Sequence, residues 1–144
     1  MAFLFRPSEI LFANGGRPLF HGKGNPFIFD WKTERIFMIV VFKHLFYSNY
    51  VGLSFWPFIF VKHQLLKSDA ALINHERIHL RQQLELLVVP FYVLYALEWL
   101  CRTVRYLDGY RAYQNLSFER EAYAHEEDLS YLERRRPFRF MRYY

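Results

Sequence analysis

The sequence predicts an α+β domain over residues 1–144, a small sheet packed on two helices, and three observations predict it. The segments "IFMIVVF" (36–42) and "LSFWPFIFVK" (53–62) are β-branched and aromatic, the composition of buried strands. The segments "KSDAALINHERIHLRQQLELLVV" and "SFEREAYAHEE" instead group residues of like character three and four apart, the spacing of helices. With 144 residues, 53% of them hydrophobic and 21% aromatic, the chain can close one real core and does not resemble a disordered segment.

The elements follow in order. Residues 1–35 hold four of the six glycines and three of the six prolines, in "ANGGRP" and "HGKGNP" among others, and read as loops with short extended pieces. The first strand is expected at 36–42. After the turn-like "YSNYVG" a second covers 53–62 with Pro57 inside it. Proline cannot donate to a ladder, so this strand is expected at a sheet edge. A long helix then starts at Ser68 or Asp69, either of which can cap it. It kinks or restarts at Pro90 and ends near Asp108-Gly109. A last helix is expected from Ser117, its N-cap, to about Leu132, followed by a basic, aromatic tail over 134–144 that can be loose.

Composition narrows the function classes. A single cysteine, Cys101, excludes an internal disulfide framework and suits a reducing compartment. The opening "MAFLFRPSEILF" lacks the basic, apolar and small-residue parts of a secretory leader, so a cytoplasmic location is expected. The longest apolar run, Leu86–Leu97, is twelve residues, which fits a buried or interfacial helix better than a bilayer span. Net charge is +5, and the tail "RRRPFRFMRYY" has five arginines and four aromatics. No recognised nucleic-acid motif accompanies that charge, so no specific nucleic-acid partner is expected. Peripheral membrane contact stays open, with Trp99, Tyr92, Tyr95 and Arg102 suited to a headgroup boundary.

The chemistry concentrates in "INHERIHLRQQ". On a helix His75 and His79 stand one turn apart on one face and can share a metal ion, while Glu76 points about a quarter turn away, placed to take a proton from water. A catalytic zinc wants a third protein ligand and an open position. A histidine six residues after His79, reached through a glycine turn, is absent, because those positions hold Glu85 and Gln82. In the second helix Glu119, Ala122 and Tyr123 share one face, and the small Ala122 lets two helices approach closely. Glu119 is therefore the expected third ligand, with Glu121, on the other face with His125 and Asp128, as the alternative. Gln82 and Gln83 can orient ligands or lie on the helix surface, and Tyr92, Tyr95 and Tyr113 read as core.

"HERIH" followed about forty residues later by "EREAY" resembles the gluzincin branch of the zincin metallopeptidases. Both the CAAX-prenyl-protease-like enzymes and the small minigluzincins have this layout. The resemblance covers about residues 50–130 and implies zinc on His75, His79 and Glu119, with Glu76 as general base. Tyr123 stands where the family commonly has Asp or Asn beside a ligand histidine, and its phenol can hydrogen-bond there or steady the oxyanion. The implied reaction is hydrolysis of a peptide or protein substrate through a zinc-activated water, the substrate pairing along an edge strand at 53–62. Minigluzincins also imply a C-terminal segment lying over the cleft. The alternative is a non-catalytic scaffold of the same fold, peripheral to a membrane.

Overall fold

A computed structural model describes residues 2–5, 27–30, 35–46 and 50–144; the segments "ANGGRP" and "HGKGNP" and His21 lie outside the described residues. Five strands form one mixed sheet in the order β1-β4-β5-β3-β2. They are β1 (Ala2–Phe5), β2 (Phe27–Asp30), β3 (Arg35–Val41), β4 (Tyr50–Phe55) and β5 (Phe58–Val61). β3 and β5 run parallel, and the other pairs are antiparallel. In β5 the residues alternate, with Ile59 and Val61 fully buried and Phe58 and Phe60 half-buried, as one covered sheet face requires.

The stretch 53–62 is not one edge strand. β4 and β5 form a hairpin closed by Trp56 and Pro57, whose peptide is cis, and β5 lies at the centre of the sheet. Pro57 therefore breaks the run into two strands and donates to no ladder because it sits in the turn. Among the described residues the outer strands are β1 and β2, so an extended substrate cannot pair along 53–62.

Helix α1 (Ala70–Leu86) packs across β4 and β5. Asp69 caps it, its side chain accepting from the Leu72 amide at 3.0 Å. Leu72 and Leu80 join Phe37, Ile39, Val51, Ile59, Val61 and Leu66 in the core between helix and sheet. Beyond the break at Leu87 (φ 64°), α2 (Val88–Tyr106) leaves at 109°. Pro90 belongs to the first turn of α2, where an amide proton has no partner within the helix, so it starts the helix rather than kinking it. No single described helix is long and apolar enough to cross a membrane.

Asp108 caps the short α3 (Gly109–Gln114), and α4 runs Ser117–His125. The expected N-cap at Ser117 is displaced by one residue to Leu116, which offers no side-chain acceptor. Instead Glu98 of α2 accepts from the Ser117 amide at 2.9 Å and its hydroxyl at 2.7 Å, placing a carboxylate at the positive end of α4. The helix also ends earlier than Leu132: Asn74 donates to the carbonyls of His125, Glu126 and Asp128, which holds the chain in a turn before α5 (Tyr131–Arg134).

The basic end of the chain is packed down. Phe140 stacks on Phe118 with ring centroids 4.5 Å apart and joins Phe91, Tyr95, Tyr113 and Leu116 in a second core. Tyr143 meets His125 Nε2 at 2.7 Å, and Arg135 is buried.

Candidate metal centre

An amphipathic helix buries the residues at i, i+3, i+4, i+7 and i+8. In α1 that stripe includes His75, Glu76, His79, Gln82 and Gln83, all but one of them wholly inaccessible and His79 only 1% exposed. Burying so many polar groups is costly unless each finds a partner, and their partners define the site.

α4 crosses α1 closely at Ala122, which is fully buried with Ile78 and Tyr131. The small side chain lets Glu119, one turn earlier, reach both histidines. His75 Nε2 lies 3.4 Å from one Glu119 oxygen and His79 Nε2 lies 3.4 Å from the other. The two Nε2 atoms are 3.1 Å apart. His75, His79 and Glu119 thus converge as a buried group able to hold a metal ion. Glu121, the alternative ligand, faces elsewhere and takes hydrogen bonds from Gln82, Tyr131 and Arg135.

The outer nitrogens decide what the inner ones present. His75 Nδ1 is 3.0 Å from Glu126 Oε2, and His79 Nδ1 is 2.8 Å from Gln82 Oε1. Gln82 Nε2 donates to Glu121 and to the Phe118 carbonyl, which fixes the direction of its amide. Both Nδ1 atoms face acceptors and so carry protons, leaving an Nε2 lone pair on each neutral ring. Two lone pairs and a carboxylate within 3.4 Å repel one another unless a cation or an added proton lies among them. Burial opposes a charge on His75, but Glu119 and Glu126 outweigh it and hold its pKa above the usual value.

Glu119 itself is held from behind. Tyr95 donates to Oε1 at 2.7 Å and Tyr113 to Oε2 at 3.1 Å. Burial alone would raise the Glu119 pKa; the two histidines overcome it and keep the carboxyl well below the usual range. The two phenols move the other way: burial, with the Glu119 charge, raises them so that they remain donors. Tyr123 sets its ring 4.7 Å from that of His75, edge to face, and its hydroxyl 3.5 Å from that of Tyr113.

Glu76 is treated differently from every neighbour. Both of its oxygens are buried, and no partner among the described residues meets them at close hydrogen-bond geometry. Burial pushes its pKa up to about 8, with the Glu119 charge reinforcing it and His79 and the nearby Ser54 hydroxyl opposing it. A divalent cation nearby would reverse that balance toward the carboxylate. Gln83, beside it, binds the sheet instead, donating to Ser54 and accepting from the Trp56 amide at 2.8 Å.

The structure therefore brings together His75, Glu76, His79 and Glu119, with Tyr123 against the first of them. Glu126, which meets His75 Nδ1, is a neighbour that the sequence reading does not single out. Tyr95 and Tyr113 are core residues, as read, but their hydroxyls serve Glu119. His44 and His63 are exposed and far from use as ligands, and His125 binds Tyr143. Comparison with protein-family models, with curated proteins and with solved structures finds no match to this chain. The gluzincin resemblance rests on the motif residues alone.

Proposed function

We propose that this chain is a small zinc-dependent metallopeptidase in which His75, His79 and Glu119 hold the metal and Glu76 is the general base. One observation carries the reading: two Nε2 lone pairs and a carboxylate converge within 3.4 Å while both Nδ1 atoms are engaged from outside. Ligand atoms at about 2.0–2.1 Å on a tetrahedral zinc are roughly 3.3 Å from one another; the two Nε2 atoms are 3.1 Å apart and each lies 3.4 Å from its own Glu119 oxygen, so the carboxylate would bind through both oxygens or turn one between the rings. The ring–carboxylate and ring–amide pairs outside them match the outer hydrogen bonds that orient metal-binding histidines.

A zinc ion bound there would polarise a substrate carbonyl and lower the pKa of water at its open position. The protein supplies the proton traffic. Glu76, one residue from His75 and without a close hydrogen-bond partner, would take a proton from the attacking water and return it to the departing amine. Tyr123, whose ring lies against His75, would donate toward the developing oxyanion, and burial with the Glu119 charge keeps its phenol protonated.

The test is a pair of variants. Glu76→Gln is expected to retain about one zinc per chain and to lose at least ~10²-fold in peptide hydrolysis. Zinc content follows from elemental analysis of protein purified without a histidine tag, and hydrolysis from a quenched-fluorescence peptide library. A metal kept for stability alone is the rival, favoured by the burial of all three donors. Equal hydrolysis by Glu76→Gln and the parent chain, or none by either, would favour that rival.

Tyr95→Phe probes the support behind Glu119. It removes one donor and no volume beyond a hydroxyl, so zinc affinity is expected to fall about 10–100-fold with the fold intact. Competition with a chromophoric chelator measures it; an unchanged affinity would mean Glu119 needs no anchoring.

A further inference from the structure

We propose that the outward face of α2 seats this chain on an anionic bilayer surface. Val89, Val93, Leu97, Leu100, Val104 and Leu107 recur every three or four residues, from the start of the helix to its C-cap, and each is more than half exposed. At 1.5 Å per residue this stripe is about 28 Å long. Ala96 and Cys101, also exposed, lie along it, and of the three charged residues on the helix Arg105 is exposed while Glu98 and Arg102 are half-buried. Glu98 is turned inward to hold Ser117, so the stripe carries no exposed acid.

The apolar surface continues past the helix. At the tip of the β4–β5 hairpin Phe55 and Trp56 are both exposed, and Phe55 stacks on Tyr92 of α2 at 5.7 Å. At the other end Trp99 and Tyr110 lie at the margin, 40% and 41% exposed, rings suited to the boundary between lipid and water.

A contiguous apolar face of this size needs a cover, and charge chooses it. The chain carries +5 overall. A second copy would bring like charges together, whereas anionic lipid attracts them. The reverse side of α2 is packed into the fold through Phe91 and Tyr95, so the helix lies in the plane of the interface and does not cross it. Tyr95 on that reverse side holds Glu119. The candidate metal centre is therefore one helix diameter, about 10 Å, from the lipid. The inference stands whether or not that centre holds zinc.

Cys101, exposed and the one cysteine of the chain, gives a reporter on the face itself. The full chain labelled there with an environment-sensitive fluorophore is mixed with phosphatidylcholine vesicles containing about one third phosphatidylglycerol, and with phosphatidylcholine alone. A blue shift and co-sedimentation with the anionic vesicles are expected, weakened severalfold by raising salt from about 0.1 to 0.5 M. Leu97→Glu combined with Leu100→Glu, both at exposed positions, should weaken binding more than ~10-fold while leaving circular dichroism unchanged. Absence of binding, or binding that the two glutamates do not weaken, would overturn the proposal. So would a lipid-free dimer, seen by sedimentation, that the same glutamates dissociate, which would assign the face to a second copy.

Discussion

Glu119→Ala is expected to abolish the response of this protein to zinc. For the parent chain, free zinc at a hundred times its Kd should add about 2.7 kcal/mol of stability. For a domain near 150 residues that is roughly 5–10 °C in Tm. The variant should gain about none of it, and its affinity should fall by more than the roughly 10–100-fold that follows loss of an outer hydrogen-bond partner. The reason is that Glu119 does three things at once. It supplies the negative charge that the two imidazoles face, it comes from a different helix, and it is the acceptor for Tyr95 and Tyr113. Removing it also takes an acceptor from the buried Tyr95 and Tyr113 hydroxyls, so some metal-independent destabilisation is expected. Glu119→Gln separates the effects: it keeps an acceptor oxygen and the volume but not the charge. Its metal-free Tm should lie closer to that of the parent, while its zinc response stays lost. A normal zinc shift in Glu119→Ala would leave the proposed hydrolase without its third ligand.

How much of this was legible in the sequence depends on the range over which each feature is decided. The His75–His79 pair and Glu76 follow from helix geometry, because four residues along one helix fix two side chains on one face. Glu119 was legible because Ala122 on its face marks a close helix crossing, and α1 and α4 do cross there. Glu126, which pairs with His75, stands seven residues after Glu119 on the same helical face, so its place also follows from helix spacing although the sequence reading does not single it out. The rest is tertiary. Tyr95 and Tyr113 stand at ordinary core spacing, and nothing local says where their hydroxyls go. Pro57 was misplaced for a related reason. A proline inside an apolar run indicates a missing ladder donor, which an edge strand and a hairpin turn satisfy equally well, and only the pairing of β5 with β3 decides between them. The two glutamates paired with Arg135 lie 50 and 14 residues away, so no periodicity announces them.

That last cluster sets the other large expectation. Arg135→Ala should destabilise the fold by about 3–5 kcal/mol, the cost of removing one partner from a buried ionic group, and lower the urea midpoint by roughly 1.5–3 M. The Arg135 side chain is 1% exposed and pairs with Glu121 and Glu85, exposed 0% and 7%. Tyr131 and Gln82 also donate to Glu121, and the Phe138 amide donates to Glu85. The guanidinium joins the end of α1, the middle of α4 and the C-terminal segment, and its loss leaves Glu121 out of water with neutral donors only, while Glu85 keeps Arg81 at 2.9 Å. Neutralising one of them should return part of the loss: the double variant Arg135→Ala, Glu121→Gln is expected to recover ~1–2 kcal/mol. Arg135→Lys should recover less than the parent value, since an ammonium cannot reach both carboxylates with the planar fork of arginine. The measurements belong on chelator-treated protein. Gln82 links Glu121 to His79 Nδ1, so zinc would otherwise contribute to every midpoint. If the chelated Arg135→Ala variant unfolded within about 0.5 M urea of the parent, the cluster would be hydrated in solution and the C-terminal segment would be held by contacts such as those of Phe140 and Tyr143.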